Sequence, residues 1–110
     1  MTAFARTPAP PYYAAIFTSQ RTPGDHGYAA TADRMVELAT CQPGFLGVES
    51  VRDADGFGVT VSYWTSTEAI AAWKADLEHR AAQEAGLRHW YAHYELRVAL
   101  VVQAHGKPAA

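Results

Sequence analysis

Four groups of residues in this sequence carry side chains that could do chemistry at a useful spacing. His79 follows Asp76 by three positions, so on a helix the carboxylate can orient or charge the imidazole. An imidazole with a near-neutral pKa at a pocket edge can take a proton from a phenol or an enol. On a helical wheel His79 lies about 120° from Trp73. It shares a stripe with Ala72, Asp76 and Gln83, at the border of the face that Trp73 would bury. A partly exposed helix histidine paired with Asp76 is the structural alternative.

The second group is aromatic: Trp64, Trp73 and Trp90, with Tyr91 and Tyr94 beside the last. A flat ligand needs such walls and few polar groups; packing in the core or at a dimer edge is the other use. Arg97 stands between Leu96 and Val98, and a charge in so apolar a strand needs a partner. Glu49 or Glu95 could supply it, or Arg97 could face a ligand anion or a developing enolate. His89 and His93 have i, i+4 spacing, which a metal could use on a helix, but only Glu95 lies near as a third ligand. No metal site is expected. Gly56 and Gly58 flank Phe57 as a hairpin turn rather than a phosphate loop, because no helix starts there. No Ser-His-Asp order, suitably placed carboxylate pair or Walker pattern occurs.

Composition limits the partners. The 110 residues suit one domain, 49% of them hydrophobic and only 18% charged. A net charge of −2 gives no basic field for nucleic acid. Cys41 is the only cysteine, which rules out a disulfide framework and a thiolate metal cluster. It is expected to be a small buried hydrophobe. No apolar run approaches the roughly 18 residues of a membrane span, and residues 1–11 have no apolar signal core. A cytoplasmic location is expected.

Regular punctuation divides the chain. Residues 1–11, with Pro8, Pro10 and Pro11, read as a flexible or loosely docked arm, and residues 105–110 as a flexible tail. Between them, residues 12–104 form one domain. Tyr12 to Gln20 reads as a strand, and Arg21 to Gly27 as a loop. Tyr28, Ala32, Met35, Val36 and Ala39 mark one face of a helix that Pro43 and Gly44 end. Phe45 to Arg52 and Gly58 to Trp64 read as a hairpin turning at Asp55-Gly56. Val59, Val61 and Tyr63 point one way along its second strand, and Thr60, Ser62 and Trp64 the other. A second helix runs from about Thr67 to Ala85, with Ile70, Trp73, Leu77 and Ala81 inward and Gly86 as its cap. Leu87 to His93 reads as a helical turn, and Tyr94 to Ala104 as a last strand.

The order β-α-β-β-α-β is the ferredoxin-like α+β arrangement, with both helices on one sheet face. The last strand is apolar on both sides: Leu96, Val98, Leu100 and Val102 on one, Ala99 and Val101 on the other. Such a strand is expected to be buried on both sides. Helices cover one side only, so a second copy of the chain is expected over the other, as a homodimer.

Pro43-Gly44-Phe45-Leu46-Gly47-Val48, then Ser62-Tyr63-Trp64-Thr65-Ser66, Glu68-Ala69-Ile70 and Trp73-Lys74 together resemble the antibiotic biosynthesis monooxygenase superfamily of dimeric α+β barrels. The resemblance spans roughly Tyr12 to Val102. The superfamily includes cofactor-free oxygenases of polyketide quinols, haem-degrading monooxygenases and isomerases of small phosphorylated sugars, so fold does not settle function. In the haem-degrading branch an Asn on the first strand and a His nine or ten residues beyond a helical Trp line the pocket. Trp73 fits that Trp, but Ala82 and Gln83 stand where the His would be, and the first strand holds Phe17, Thr18, Ser19 and Gln20 without Asn.

The resemblance therefore implies a monooxygenase acting without a cofactor on a small aromatic or enolic molecule. His79 would be the base, Arg97 or Gln83 the anion partner, and Trp64, Trp73, Trp90 and Tyr94 the walls. The alternatives are a haem protein using His79 and a non-catalytic ligand-binding module.

Overall fold

The computed structural model describes residues 4–25, 27–83 and 87–108, without the side chains of residues 79–83, 87 and 88. The elements are β1 (Tyr12–Arg21), α1 (Tyr28–Thr40), β2 (Phe45–Arg52), β3 (Phe57–Trp64), α2 (Thr67–Gln83), a single turn α3 (Leu87–Trp90) and β4 (Tyr91–Val101). The strands make one antiparallel sheet in the order β2-β3-β1-β4. This is the ferredoxin-like α+β fold.

Alternation along each strand decides what meets the helices. Tyr13, Ala15, Phe17 and Ser19 of β1 stand opposite Trp64, Ser62, Thr60 and Gly58 of β3, and Phe17 stands opposite Leu96 of β4. That set faces the helices, because Ala15 and Trp64 pack with Ile70 of α2, and Tyr13, Phe45, Ala69, Trp73 and Leu96 close around them. Trp64 is fully buried. α2 starts where Ser66 Oγ accepts the Ala69 N–H at 3.1 Å, an N-cap bond. At α1 the Asp25 carboxylate takes the N–H groups of Gly27 and Ala29. Ala39 is buried and Met35 half-buried, whereas Val36 lies 100° round the helix from Met35 and is exposed.

Gly44 explains why the Pro-Gly-Phe turn and the start of α2 belong together. Its φ is +86°, and an added Cβ would stand 2.7 Å from Thr65 Oγ1 and 2.8 Å from the Ala69 methyl. Its carbonyl accepts the Thr65 N–H at 2.9 Å. The turn before β2 is thus clamped onto the β3–α2 junction. Gly47 plays the same part on the other sheet face, where a Cβ would stand 2.9 Å from the Ala5 methyl. The chain ahead of β1 crosses there: Ala5 N–H donates to Glu49 at 3.0 Å, and Thr7 to the Tyr12 hydroxyl at 3.0 Å.

Besides the exposure of Val36, three features depart from the sequence reading. β4 runs from Tyr91 to Val101, not Tyr94 to Ala104. Its start is set from a distance: the Trp90 carbonyl accepts the Thr22 N–H at 2.8 Å and Arg21 Nη1 at 2.6 Å, and a bulge at Gln20/Arg21 brings Tyr91 opposite Arg21. Cys41 is exposed, because it caps α1 as the chain leaves for the turn. β4 is the outer strand, and Val98 and Leu100 are each 49% exposed on the helix side, since the helices stop short of the sheet edge. The expected cap Gly86 lies outside the described residues.

Replacing Gly44 by Ala would force a Cβ into a left-handed backbone and against Thr65 and Ala69 together. We expect Gly44→Ala to lower stability by on the order of 2 kcal/mol, read as a lower urea midpoint at unchanged slope.

Candidate functional site

The space between helices and sheet holds an aromatic layer. At one end Phe45 meets Trp64 edge-on at 5.4 Å, and Trp73 stacks on Trp64 at 6.4 Å and 27°. The Trp64 indole N–H is satisfied by Ser62 Oγ at 2.8 Å. At the other end Phe17 lies 5.3 Å from Tyr91 and 5.4 Å from Tyr94, while Tyr28, in the first turn of α1, meets Trp90 at 6.2 Å and Tyr91 at 5.8 Å. Such rings bury large areas and prefer these offset and edge-to-face geometries.

Two guanidinium groups enter this second end. Arg52 has the strand parity of Ser50 and Val48, which turns it toward the helices opposite Gly58. Its Nη2 donates to Ser19 Oγ at 2.8 Å and to the Tyr28 hydroxyl at 3.4 Å, and its Nη1 to the Gly56 carbonyl at 2.6 Å. Ser19 is only 2% exposed. Arg21 lies over the Tyr28 ring at 3.8 Å, a cation–π contact. Tyr91 donates its hydroxyl proton to Tyr28 at 3.3 Å. Burial, then that hydrogen bond, pushes the Tyr91 phenol far above its ordinary value, although Arg52 and Arg21 pull the other way. Tyr91 therefore remains a neutral donor throughout the physiological range. Among the described residues no carboxylate lies within ion-pair distance of Arg21 or Arg52.

The helix-free face carries a different set. Thr18, Ser19, Gln20, Phe57, His93, Glu95 and Arg97 border an open depression of about 250 Å³. His93 Nε2 donates to Glu95 at 2.9 Å. That hydrogen bond, then the charges of His93 and Arg97, holds the exposed Glu95 carboxyl below its ordinary range. Further along, Glu49 accepts from the Tyr63 hydroxyl at 2.8 Å as well as from Ala5.

The residues singled out from sequence are thus divided. Trp64, Trp73, Trp90 and Tyr94 lie on the helix side, the first two as neighbours and Trp90 buried against Tyr28. Arg97 stands opposite Ile16 and so projects from the other sheet face; within one chain the sheet separates it from that layer. His79 and Gln83 sit on α2, and their side chains lie outside the described residues. His89 and His93 lose their helical spacing because α3 ends at Trp90 and His93 is in β4. Among the described residues no group of three potential ligands gathers for a metal. Sequence reasoning missed Arg52, Tyr28 and Ser19. The available signal was parity: Arg52 falls on the inward register of its strand.

The family model for antibiotic biosynthesis monooxygenase matches residues 12–85. The chain belongs to this family. It is 59% identical over 97 residues to the uncharacterized protein YqjZ of Bacillus subtilis (strain 168), spanning 88% of this chain and 85% of that one. A variant of SnoaB, a cofactor-independent oxygenase from Streptomyces nogalater, superposes with a TM-score of 0.70 at 19% identity, over 87% of this chain and 98% of that chain. PA3566 from Pseudomonas aeruginosa superposes with a TM-score of 0.64 at 13% identity, over 89% and 99%. At those identities the two solved structures share the fold. Within the matched residues, the run Pro43-Gly44-Phe45-Leu46-Gly47 acts through Gly44 and Gly47, which set the close approaches described above.

Tyr63 gives the helix-free face a titration marker. Burial, the hydrogen bond to Glu49 and the charges of Glu49 and Tyr12 push its phenol from 10.0 up to about 12. Folding therefore favours the protonated form, so its contribution is full below about pH 10 and is lost as pH rises through about 12. In a spectrophotometric alkaline titration, Tyr63→Phe is expected to remove one late-ionising tyrosine. Glu49→Gln is expected to bring that step to lower pH.

Proposed function

We propose that this member of the monooxygenase family oxygenates a small aromatic or enolisable molecule without a cofactor, in the aromatic layer on the helix side of the sheet. The observation that carries this reading is the layer itself: stacked indoles at one end and, at the other, phenols beside two guanidinium groups with no carboxylate against them among the described residues. A flat, electron-rich substrate fits between rings, and the anion formed from it is steadied by positive charge. The substrate supplies its own electrons. A base removes a proton from the phenol or enol, and the resulting carbanion reacts with dioxygen. A ring CH2 becomes a carbonyl, one oxygen atom being kept and the other leaving as water. His79 on α2 is proposed as the base. The resemblance in fold to a cofactor-independent oxygenase supports the absence of a cofactor.

A homodimer belongs to the same proposal. The surface proposed for it differs from the helix-free face expected from the sequence: Val98 and Leu100 lie half exposed on the helix side of an outer strand with unpaired backbone groups, and a second copy would cover them. Sedimentation at micromolar concentration is expected to give a dimer, and Val98→Lys with Leu100→Lys a folded monomer. A wild-type monomer would overturn this part.

Oxygen uptake with a panel of anthrones and quinols, with no cofactor added, tests the activity. We expect protein-dependent uptake that falls roughly 100-fold or more in His79→Ala, the usual scale for losing a general base. No uptake across the panel would overturn the function, and unchanged uptake in His79→Ala would overturn the role of His79.

A further inference from the structure

The hydrogen bonds around Arg52 all run in one direction, and that direction leaves something over. Arg52 Nη2 donates to both Ser19 Oγ and the Tyr28 hydroxyl. Tyr91 also donates to Tyr28. The Tyr28 oxygen therefore accepts twice, and its own proton has no acceptor among the described residues. Ser19 accepts from Arg52, and its proton likewise meets no acceptor among the described residues. A hydroxyl that accepts from a cation is a stronger donor, because the two hydrogen bonds polarise one another. Arg21, 3.8 Å above the Tyr28 ring, adds a second positive charge. Tyr28 and Arg52 are half-buried and Ser19 is buried, which keeps screening low while Tyr28 and Arg52 stay in reach of solvent.

We propose that Tyr28 and Ser19, both polarised by Arg52, form an oxyanion site that binds the deprotonated oxygen of a phenolate or enolate ligand. Two hydroxyl donors beside two cations select oxygen anions over neutral ethers or ketones of the same shape. Tyr91 is a positioning residue: it fills one lone pair of Tyr28 and so turns the Tyr28 proton away from itself. The raised Tyr91 ionisation agrees with this, since a neutral Tyr91 is the donor the arrangement needs. The inference rests on the oxygenase reading for its place in a reaction, because the anion bound here would be the one that meets dioxygen.

The test uses binding, so it can fail separately from turnover. The probe is 4-nitrophenol, whose ionised form is yellow, with 4-nitroanisole as the neutral match. Bound 4-nitrophenol is expected to ionise at lower pH than the free compound, and nitrophenolate to bind at least tenfold more tightly than nitroanisole. Tyr28→Phe keeps the ring under Arg21 and removes only the hydroxyl. It is expected to weaken nitrophenolate about tenfold and leave nitroanisole unchanged. Ser19→Ala is the second removal and is expected to act in the same sense, so the test stands if one variant does not fold. Equal binding of the two probes, or an unchanged ionisation shift in a folded Tyr28→Phe or Ser19→Ala protein, would overturn the site. If the site binds nitrophenolate as expected and no quinol consumes oxygen, the site stands and the oxygenase reading falls. If oxygen is consumed and the two probes bind equally, the reverse holds.

Discussion

Trp64 has to be enclosed from three directions, and the rest of the molecule is arranged to do it. It ends β3, so β1 can offer Tyr13 across the ladder and β2 can offer Phe45. Trp73 stacks on it from α2, with Ile70 in the same cluster. Its one polar atom is met by Ser62, two positions back on the same strand face. Removing an indole from water is strongly favourable only when its N–H is satisfied. The short chain from Trp64 to the Ser66 cap then fixes where α2 begins, and Gly44 presses the other crossover onto the same corner.

From that corner the aromatic layer runs toward Tyr28, and its character changes along the way. Near Trp64 it is dry and aliphatic-aromatic. Near Arg52 it is aromatic and cationic, with hydroxyl groups between ring and guanidinium. One sheet face thus combines a tightly packed anchor with a polar, cationic end. The opposite face is polar in patches and is partly roofed by the chain ahead of β1.

The strands and the two long helices were legible in the sequence because their signals are local. Val59, Val61 and Tyr63 alternate with Thr60, Ser62 and Trp64, and Ile70, Trp73 and Leu77 recur at helical spacing. The beginning of β4 was not legible, since it depends on Thr22 and Arg21 bonding to a carbonyl some 70 positions away in the chain. Cys41 misled for a related reason: a cysteine's usual burial says nothing of its standing at a helix end. Arg97 and Arg52 show the same weakness for the candidate site. An arginine amid Leu96 and Val98 reads as enclosed, yet an outer strand leaves it open. Arg52, at the end of β2, belongs to no motif that would mark it, yet its parity sends it inward to Ser19. Periodicity gives the face of a strand but not what stands over that face.

The meeting of Ala5 with Gly47 limits what may be attached to this molecule. The gap holds a methyl group and little else, and the neighbouring Glu49 grips the backbone of Ala5. A bulky side chain at position 5 would prise the leading segment off the sheet and wet the Glu49–Tyr63 pair beneath it. A fusion partner joined after Lys107 would leave that roof untouched.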